Sequence, residues 1–555
     1  MHSVYVSLPD GTTREFPNGT RVAQILRETD YTVGGEAIIA VLANNELTSL
    51  YYRLDVNTKL EAVTMSTPEG QRIYRRSLCF LLAMAAQDVC PDRHLVIGHS
   101  LGNGYYYRFE DEDRVDEAEV ARLEKRMREL VEEDIPIVRR LVSYTDALEY
   151  FEQNGMHDTA MLLKHRNDAK IPVYTCGGMM DISHGPLVPQ TGTLVHFELR
   201  TYEPGFILRF PRDSDPYNLG PFEASPILFS VYQEYKQWGK ILNVSSVGKL
   251  NDLTVTGGIR DFIRVAEALQ NKKIAEIADR IHERRDEARI VLIAGPSSSG
   301  KTTFAKKLSI QLTVLGFKPV AIGLDDYFVP REQTPRDEDG NYDFEHIDAI
   351  DIPLLNEHLE TLLAGREVEL PHFDFKTGER TAAGGHRIRL PERGILIMEG
   401  IHGLNDHLTP RIDASQKFKA YVSALTQLNL DDHNRISTTD NRLIRRLVRD
   451  HQFRGHDALE TLHMWPSVRR GENRNIFPFQ DSADVAFNSA LDYELGVLRN
   501  HALPLLDEVK PYHDVYHEAI RLLSFLENFT PIPEKHVPDD SILREFVGES
   551  GFSYK

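Results

Sequence analysis

The chain has 555 residues, 41% of them hydrophobic and 27% charged, and a formal net charge of −20. That length carries roughly three to five domains, and that acidity argues against a protein that coats nucleic acid electrostatically, while leaving room for a local basic groove. Three cysteines, Cys79, Cys90 and Cys176, with no C-x-x-C pair, exclude a disulfide framework and a cysteine-rich zinc site. No basic-then-apolar leader and no apolar run long enough for a bilayer is present, so a cytoplasmic location without membrane contact is expected.

In chain order, residues 4–8 and 13–16 read as strands flanking the turn sequence Pro9-Asp10-Gly11-Thr12. A short helix over 22–28 and a strand over 37–43 follow. Residues 72–89 form a helix with a strong apolar face, and 111–133 a charged amphipathic helix with Val115, Val120, Leu123, Met127 and Leu130 on one side. Residues 170–212 mix strand and loop. Helical patterns over 226–237 and 261–285 lead into a region, from 288 onward, where strands and helices alternate as in a doubly wound α/β domain. The expected units are 1–66, 67–225, a helical linker over 226–287, 288–535 and a tail over 536–555.

The apolar run Ile290 to Ala294 leads straight into Gly295-Pro-Ser-Ser-Ser-Gly300-Lys301-Thr302, a full G-x-x-x-x-G-K-[ST] match. Its glycines allow a tight turn whose amides cradle a polyphosphate at a helix N-terminus. Gly295, Ser297, Ser298, Ser299, Gly300, Lys301, Thr302 and Thr303 are the expected nucleotide contacts, with Lys301 on the β- and γ-phosphates and the Thr302 hydroxyl on Mg²⁺. The following helix, 303–315, is expected to bury Phe304, Leu308, Ile310, Leu312 and Leu315. The chain therefore binds a nucleoside triphosphate, with ATP and Mg²⁺ as cofactors.

Two further strand-like runs end in acids. Residues 319–324 lead to Asp325-Asp326-Tyr327-Phe328, and 394–398 lead to Glu399. Carboxylates at the C-terminal ends of parallel strands face the nucleotide crevice. One can hold Mg²⁺ and the other accept a hydroxyl proton, which phosphorylation of an alcohol requires. A helix N-cap is the alternative for Asp325 and a buried ion pair for Glu399. Asp325 joins Thr302 and Glu399 in the metal set. Arg442, Arg445, Arg446 and Arg449 are spaced i, i+3, i+4, i+7 on one helix face; a lid over transferring phosphates is the economical reading, and a basic RNA-binding helix its competitor.

This set resembles the uridine kinase/phosphoribulokinase family. The resemblance adds Tyr342-Asp-Phe-Glu345-His346, Pro371-His-Phe373-Asp374-Phe375 and Met-Glu399-Gly400-Ile-His402. It implies Asp325 as catalytic base, Glu399 as metal-associated acid, Arg446, Arg449 and Arg454 as lid arginines, and Glu345 on the acceptor's ribose hydroxyls. Asp374 and Arg380 are kept at substrate positions. Phe373 and Gly378 stand where uridine kinases hold the pyrimidine with Tyr and His, so those base contacts are absent; Phe373 and Phe375 are either stacking or core aromatics. The segment from Met464 to Glu472 departs from simple uridine kinases and is either a basic acceptor contact or a structural loop.

Residues 1–66 resemble a TGS domain, and 67–225 resemble the second N-terminal, editing-type domain of threonyl-tRNA synthetases, through Arg76-Ser77-Leu-Cys79-Phe80, Ile97-Gly98 to Tyr107, and Asp181-Ile-Ser183-His184-Gly185 to Pro189. The editing site's His, His, Cys and His positions are Arg76, Phe80, Ser183 and Leu187, so no hydrolytic editing is expected. The overall expectation is a kinase that phosphorylates a small nucleoside-like or sugar-like acceptor, with Lys301, Asp325, Arg446 and Arg449 catalytic. An RNA-responsive regulatory ATPase is the alternative. RNA contact through the N-terminal half and homo-oligomerisation are left open.

Overall fold

In the computed structural model, which describes residues 3–110, 114–336, 340, 342–374, 377–381 and 386–554, the run Ile290–Ala294 is the buried central strand of a five-stranded parallel sheet. The strands are β1 (Ile290–Ala294), β2 (Lys318–Gly323), β3 (Gly394–Glu399), β4 (Lys417–Ser423) and β5 (Val485–Asn488), in the order β2-β3-β1-β4-β5. Strands covered on both faces need no polar alternation, which is why β1 and β3 read as unbroken apolar runs. Their C-terminal ends line up: Glu399 pairs in register with Ile293 on one side and with Gly323 on the other. Helix α1 (Lys301–Val314) packs on the sheet through Phe304, Leu308 and Leu312, while Ile310, expected beside them, lies across the helix and is exposed.

At the start of the chain, the strand Ser3–Ser7 pairs antiparallel with Thr13–Pro17 and parallel with Thr58–Val63, and the helix Val22–Thr29 buries Val22, Ile25 and Leu26 against them. This is the sheet and helix expected of a small β-grasp unit, with the strand anticipated over 37–43 shortened to Ala40–Ala43. Next, the helices Pro68–Val89 and Glu117–Glu132 accompany a four-stranded antiparallel sheet (Leu95–Ser100, Gly104–Phe109, Glu198–Tyr202, Gly205–Arg209). Residues 111–113 of the anticipated helix lie outside the described residues. Ile39, Ala40 and Val63 share one apolar cluster with Leu78, Phe109, Val120 and Leu123, so these first two units have a common core.

Residues 226–287 contain three helices where two were expected: Pro226–Leu242, Val247–Val255 and Ile259–Glu283. Val247, Leu250, Ile263 and Ile277 join the apolar cluster of β1 and α1. The last two helices are thus part of the C-terminal core, whereas Phe229 and Tyr232 of the first pack with Leu101, Tyr106 and Ile207.

The two halves meet at the polar loop after β4. Asp432 accepts from the Thr159 backbone N–H at 2.8 Å and its hydroxyl at 2.7 Å, and pairs with His94 at 3.0 Å. His184 bonds Asp431 at 2.9 Å and His433 bonds Asp181 at 2.8 Å. Asn429 donates to the Ile97 carbonyl, and the Arg435 guanidinium lies 5.0 Å from the Tyr105 ring centroid. Burial alone would push the His433 pKa down, but the charges of Asp181, Asp432 and Asp431 outweigh it and raise it to about 9. The hydrogen bond to Asp432 likewise raises His94 against burial.

A histidine raised above its unfolded value of about 6.5 contributes stability that is fully present below that pH and lost as pH passes the folded value. Scanning calorimetry from pH 7 to 9.5 should therefore show the unfolding temperature falling by roughly 2–4 °C. His433→Gln should flatten that slope; an unchanged slope would refute the role of the pair.

Candidate nucleotide site

The loop after β1 turns through positive φ at Ser298 (58°) and Gly300 (80°). At Gly295 a Cβ would sit 2.0 Å from the Val422 carbonyl oxygen, so only glycine fits there. Ser298 and Ser299 are buried, and their hydroxyls have no hydrogen-bond partner among the described residues. Orphaned donors in a loop that opens a helix fit a phosphate. Lys301 Nζ donates back to the carbonyls of Gly295 at 2.9 Å and Pro296 at 3.1 Å. Burial lowers its pKa while Glu399 holds it up.

Glu399 ends β3 beside this loop, in hydrogen-bond contact with the Thr302 side chain. Burial, and then the charge of Glu545, pushes its pKa up to about 7, and its Oε2 is buried with no hydrogen-bond partner among the described residues. A carboxylate in this condition next to the loop threonine fits a divalent cation better than the ion pair weighed from sequence. Asp325 lies in the 3₁₀ turn Leu324–Tyr327 just past β2, whose N-cap is Gly323, so a capping role is excluded. Asp325 is solvent-accessible within the cleft; lost hydration still raises its pKa and Lys301 lowers it. Its neighbour Asp326 bonds His372 at 3.2 Å.

The acceptor residues expected from sequence divide. Glu345 lies against Gly471, where a Cβ would come within 2.7 Å of it, and burial, with Glu472 nearby, pushes its pKa up to about 7. Asp374 sits half-buried in the strand His372–Asp374. Phe373 is buried 5.6 Å from the Phe328 ring and fills the core, which corrects the stacking alternative. Phe375 lies outside the described residues. Arg380 pairs with Asp351 at 2.8 Å, and Asp351 caps the helix Ile352–Leu363, so Arg380 also ties the scaffold together. Gly378 has φ 74° and lies against Arg331, a backbone demand that a histidine would strain.

The arginine face requires the largest correction. In α2 (Thr438–Arg449), Arg442 and Arg445 are fully buried and are not lid groups. Arg442 forks onto Glu472, with one bond of 3.0 Å, and donates to the Ser297 carbonyl at 3.2 Å. Arg445 bonds Glu494 at 2.5 Å, the Ser298 carbonyl at 3.2 Å and the Ser489 carbonyl at 3.0 Å. Arg446 reaches the Ser297 hydroxyl at 2.9 Å and Asp450 at 3.0 Å; Asp450 also pairs with Arg449 at 2.7 Å and with the exposed Arg454 at 3.6 Å. The anions opposite the arginines are therefore the protein's own.

Sequence reasoning missed Glu472, Glu494, Asp450 and Glu545. Glu472 belongs to α3 (Ala458–Asn475), which makes the segment from Met464 a structural helix, and it accepts the Ser297 N–H at 2.9 Å. Helical spacing over 458–475 was the available signal for it. In the N-terminal half, Arg76 donates to the Pro186 carbonyl, Phe80 and Leu187 are buried, and Ser183 bonds the Gly185 carbonyl.

A parallel sheet with a phosphate loop after its central strand and acids after two neighbours is the arrangement of a P-loop nucleotide-binding domain. Residues 290–495 match the phosphoribulokinase / uridine kinase family. In the N-terminal half, the chain is 34% identical over 197 residues to the threonine–tRNA ligase of Desulforamulus reducens and 29% identical over 196 residues to that of Francisella tularensis subsp. holarctica. Each match takes in 35% of this chain and 31% of the relative, so the chain spans about a third of the length of these curated relatives. Among solved structures, a putative fructose transport system kinase from Silicibacter sp. TM1040 is 16% identical (TM-score 0.25; 38% of this chain, 98% of that one). A possible uridine kinase from Bacillus stearothermophilus is 20% identical (TM-score 0.22; 38% and 100%).

Removing Arg442 takes from the buried Glu472 carboxylate its forked partner and leaves it to Arg469 and the Ser297 N–H. Arg442→Ala should cost about 3–5 kcal/mol in urea unfolding, whereas Arg454→Ala at the exposed rim should cost less than about 1 kcal/mol. Equal losses would contradict the division between bracing and rim arginines.

Proposed function

We propose that the protein is an ATP- and Mg²⁺-dependent kinase that phosphorylates a hydroxyl of a small acceptor, a nucleoside in the first instance. The observation that carries this reading is the convergence of Lys301, Asp325 and Glu399 at the ends of three adjacent strands. Magnesium-bound ATP would supply the transferable phosphoryl group and part of the charge neutralisation. Lys301 would exchange its two loop carbonyls for phosphate oxygens, and Thr302 and Glu399 would hold the cation. Asp325, open to the cleft, would take the acceptor proton. Arg446, Arg449 and Arg454 would meet charge on the transferring group.

Acceptor choice on this reading is broader than uridine. Phe373 is core and Gly378 serves the backbone, so no donor is left at those positions to select a pyrimidine. Glu345 remains as the group for acceptor hydroxyls, and sugar-like acceptors stay in range. No helix among the described residues is long and apolar enough to cross a membrane, and Cys79, Cys90 and Cys176 are free thiols, which supports a cytoplasmic setting.

One observation favours a regulatory reading as well. The loop docked on the synthetase-like half runs directly into α2, whose arginines brace the phosphate loop. Occupancy of the N-terminal module by RNA would then be felt at the ATP site.

ADP release measured across nucleosides, sugars and sugar phosphates should rise sharply with one acceptor class. Lys301→Ala and Asp325→Asn should each lose roughly 10²–10⁴-fold of that activity. A flat panel, with ATPase activity that responds only to tRNA, would replace the small-molecule kinase by the regulatory ATPase.

A further inference from the structure

The C-terminal segment is built into the phosphate site. Ile542, Leu543, Phe546 and Val547 are buried in the cluster that holds β1 and α1. The Ile542 side chain would meet a Cβ on Gly300 at 2.6 Å, and Phe546 lies 4.8 Å from the Arg445 guanidinium. Lys307 Nζ donates to the Asp540 carbonyl at 2.8 Å, and Gln452 donates to that of Val547 at 3.0 Å. These anchors deliver Glu545 to the opening of α1. Its Oε2 accepts from the Thr303 backbone N–H at 3.0 Å and from the Thr303 hydroxyl at 2.7 Å, and the Tyr554 hydroxyl lies 2.8 Å from the same Thr303 oxygen.

Thr303 is the third residue of α1, so its N–H is one of the free donors that make a helix N-terminus an anion site. In a phosphate-binding loop that donor faces the nucleotide's phosphates. A carboxylate oxygen and a phosphate oxygen cannot both accept that proton at hydrogen-bond distance, and their charges repel across a poorly hydrated site. The opposite end of the loop has the same arrangement, since Glu472 accepts the Ser297 N–H. Glu472, however, is neutralised by Arg442 and Arg469. Glu545 has no basic side chain bonded to it among the hydrogen bonds and ion pairs described.

We propose that residues 534–554 are an autoinhibitory strap in which the Glu545 carboxylate stands in for a nucleotide phosphate on Thr303, so that ATP binds only as Glu545 withdraws. The proposal rests on the loop binding a nucleoside triphosphate and is independent of the acceptor. The resting protein is then a weak ATP binder whose apparent affinity is reduced by the fraction of molecules with the strap withdrawn. Anything that draws Glu545 away raises affinity, and by removing a neighbouring negative charge it also favours ionised Glu399.

Calorimetric titration of the full chain with a non-hydrolysable ATP analogue and Mg²⁺ tests this. Glu545→Gln keeps the size and removes the charge, and should tighten the analogue about tenfold or more. Tyr554→Phe should tighten it less. In wild-type protein, hydrogen exchange over 541–554 should speed up when the analogue is added, a readout that requires no variant to fold. Unchanged or weaker binding by a folded Glu545→Gln, or slower exchange over 541–554 with analogue, would overturn the strap and leave the kinase reading standing. No analogue binding by wild type or either variant would overturn both.

Discussion

Two buried ion pairs hold the phosphate loop in shape. Arg442–Glu472 and Arg445–Glu494 each place a guanidinium where water is excluded and direct its remaining donors at the Ser297 and Ser298 carbonyls. Desolvating four charges is costly, and such pairs are seldom a net gain over apolar packing. What they supply here is position. A loop that must present its amides inward leaves its carbonyls outward, and in a closed core those carbonyls need donors. Arginine provides several from one side chain, in a fixed fork. Ser298, at φ 58°, is held by this surrounding frame in a conformation it would not otherwise favour.

The same helix connects the site to the rest of the molecule. α2 begins at the Ser437 cap, immediately after the loop whose buried Asp431 and Asp432 and half-buried His433 bond the synthetase-like half, and Asp440 in its first turn is gripped by Arg521 at 2.7 and 2.8 Å. Glu518, beside Arg521 on the helix Tyr516–Leu526, reaches back to Arg72 of the N-terminal half at 2.9 Å. The bracing arginines thus hang from a helix fixed at its start to another domain. A small shift in the docking would be transmitted as a change in loop geometry, because packed ion pairs move between discrete arrangements.

Much of the site was legible because its signals are local. A P-loop is a backbone instruction written in adjacent residues, and an acid after an apolar run marks a strand end, so Lys301, Thr302, Asp325 and Glu399 could be read directly. Arg442 and Arg445 were read on the correct face but given the wrong partners, since Glu472 and Glu494 lie 30 and 49 residues away in the chain. Nothing in a helical spacing tells whether the opposing anion is a substrate or a side chain. The loop around Asp431 looked like solvated connection because burial of polar groups depends on partners in the other half. Residues 536–555 were read as a tail, although Ile542, Leu543, Phe546 and Val547 already had the density of apolar side chains that a buried segment needs.

The shared cores change what counts as a module. By resemblance the chain divides near 66 and 287, yet Ile39, Ala40 and Val63 pack with the helix beyond the first boundary, and the helix Ile259–Glu283 packs with β1 beyond the second. Each buried Ile, Val or Phe among them contributes about 1.5–3 kcal/mol, a large part of a domain's whole margin of stability. The bodies that share a core therefore have different borders from the segments that resemble other proteins. A kinase fragment that begins at 288 would expose the seat of a lost helix, and one that begins near 226 would still uncover Phe229 and Tyr232, which pack on Leu101, Tyr106 and Ile207.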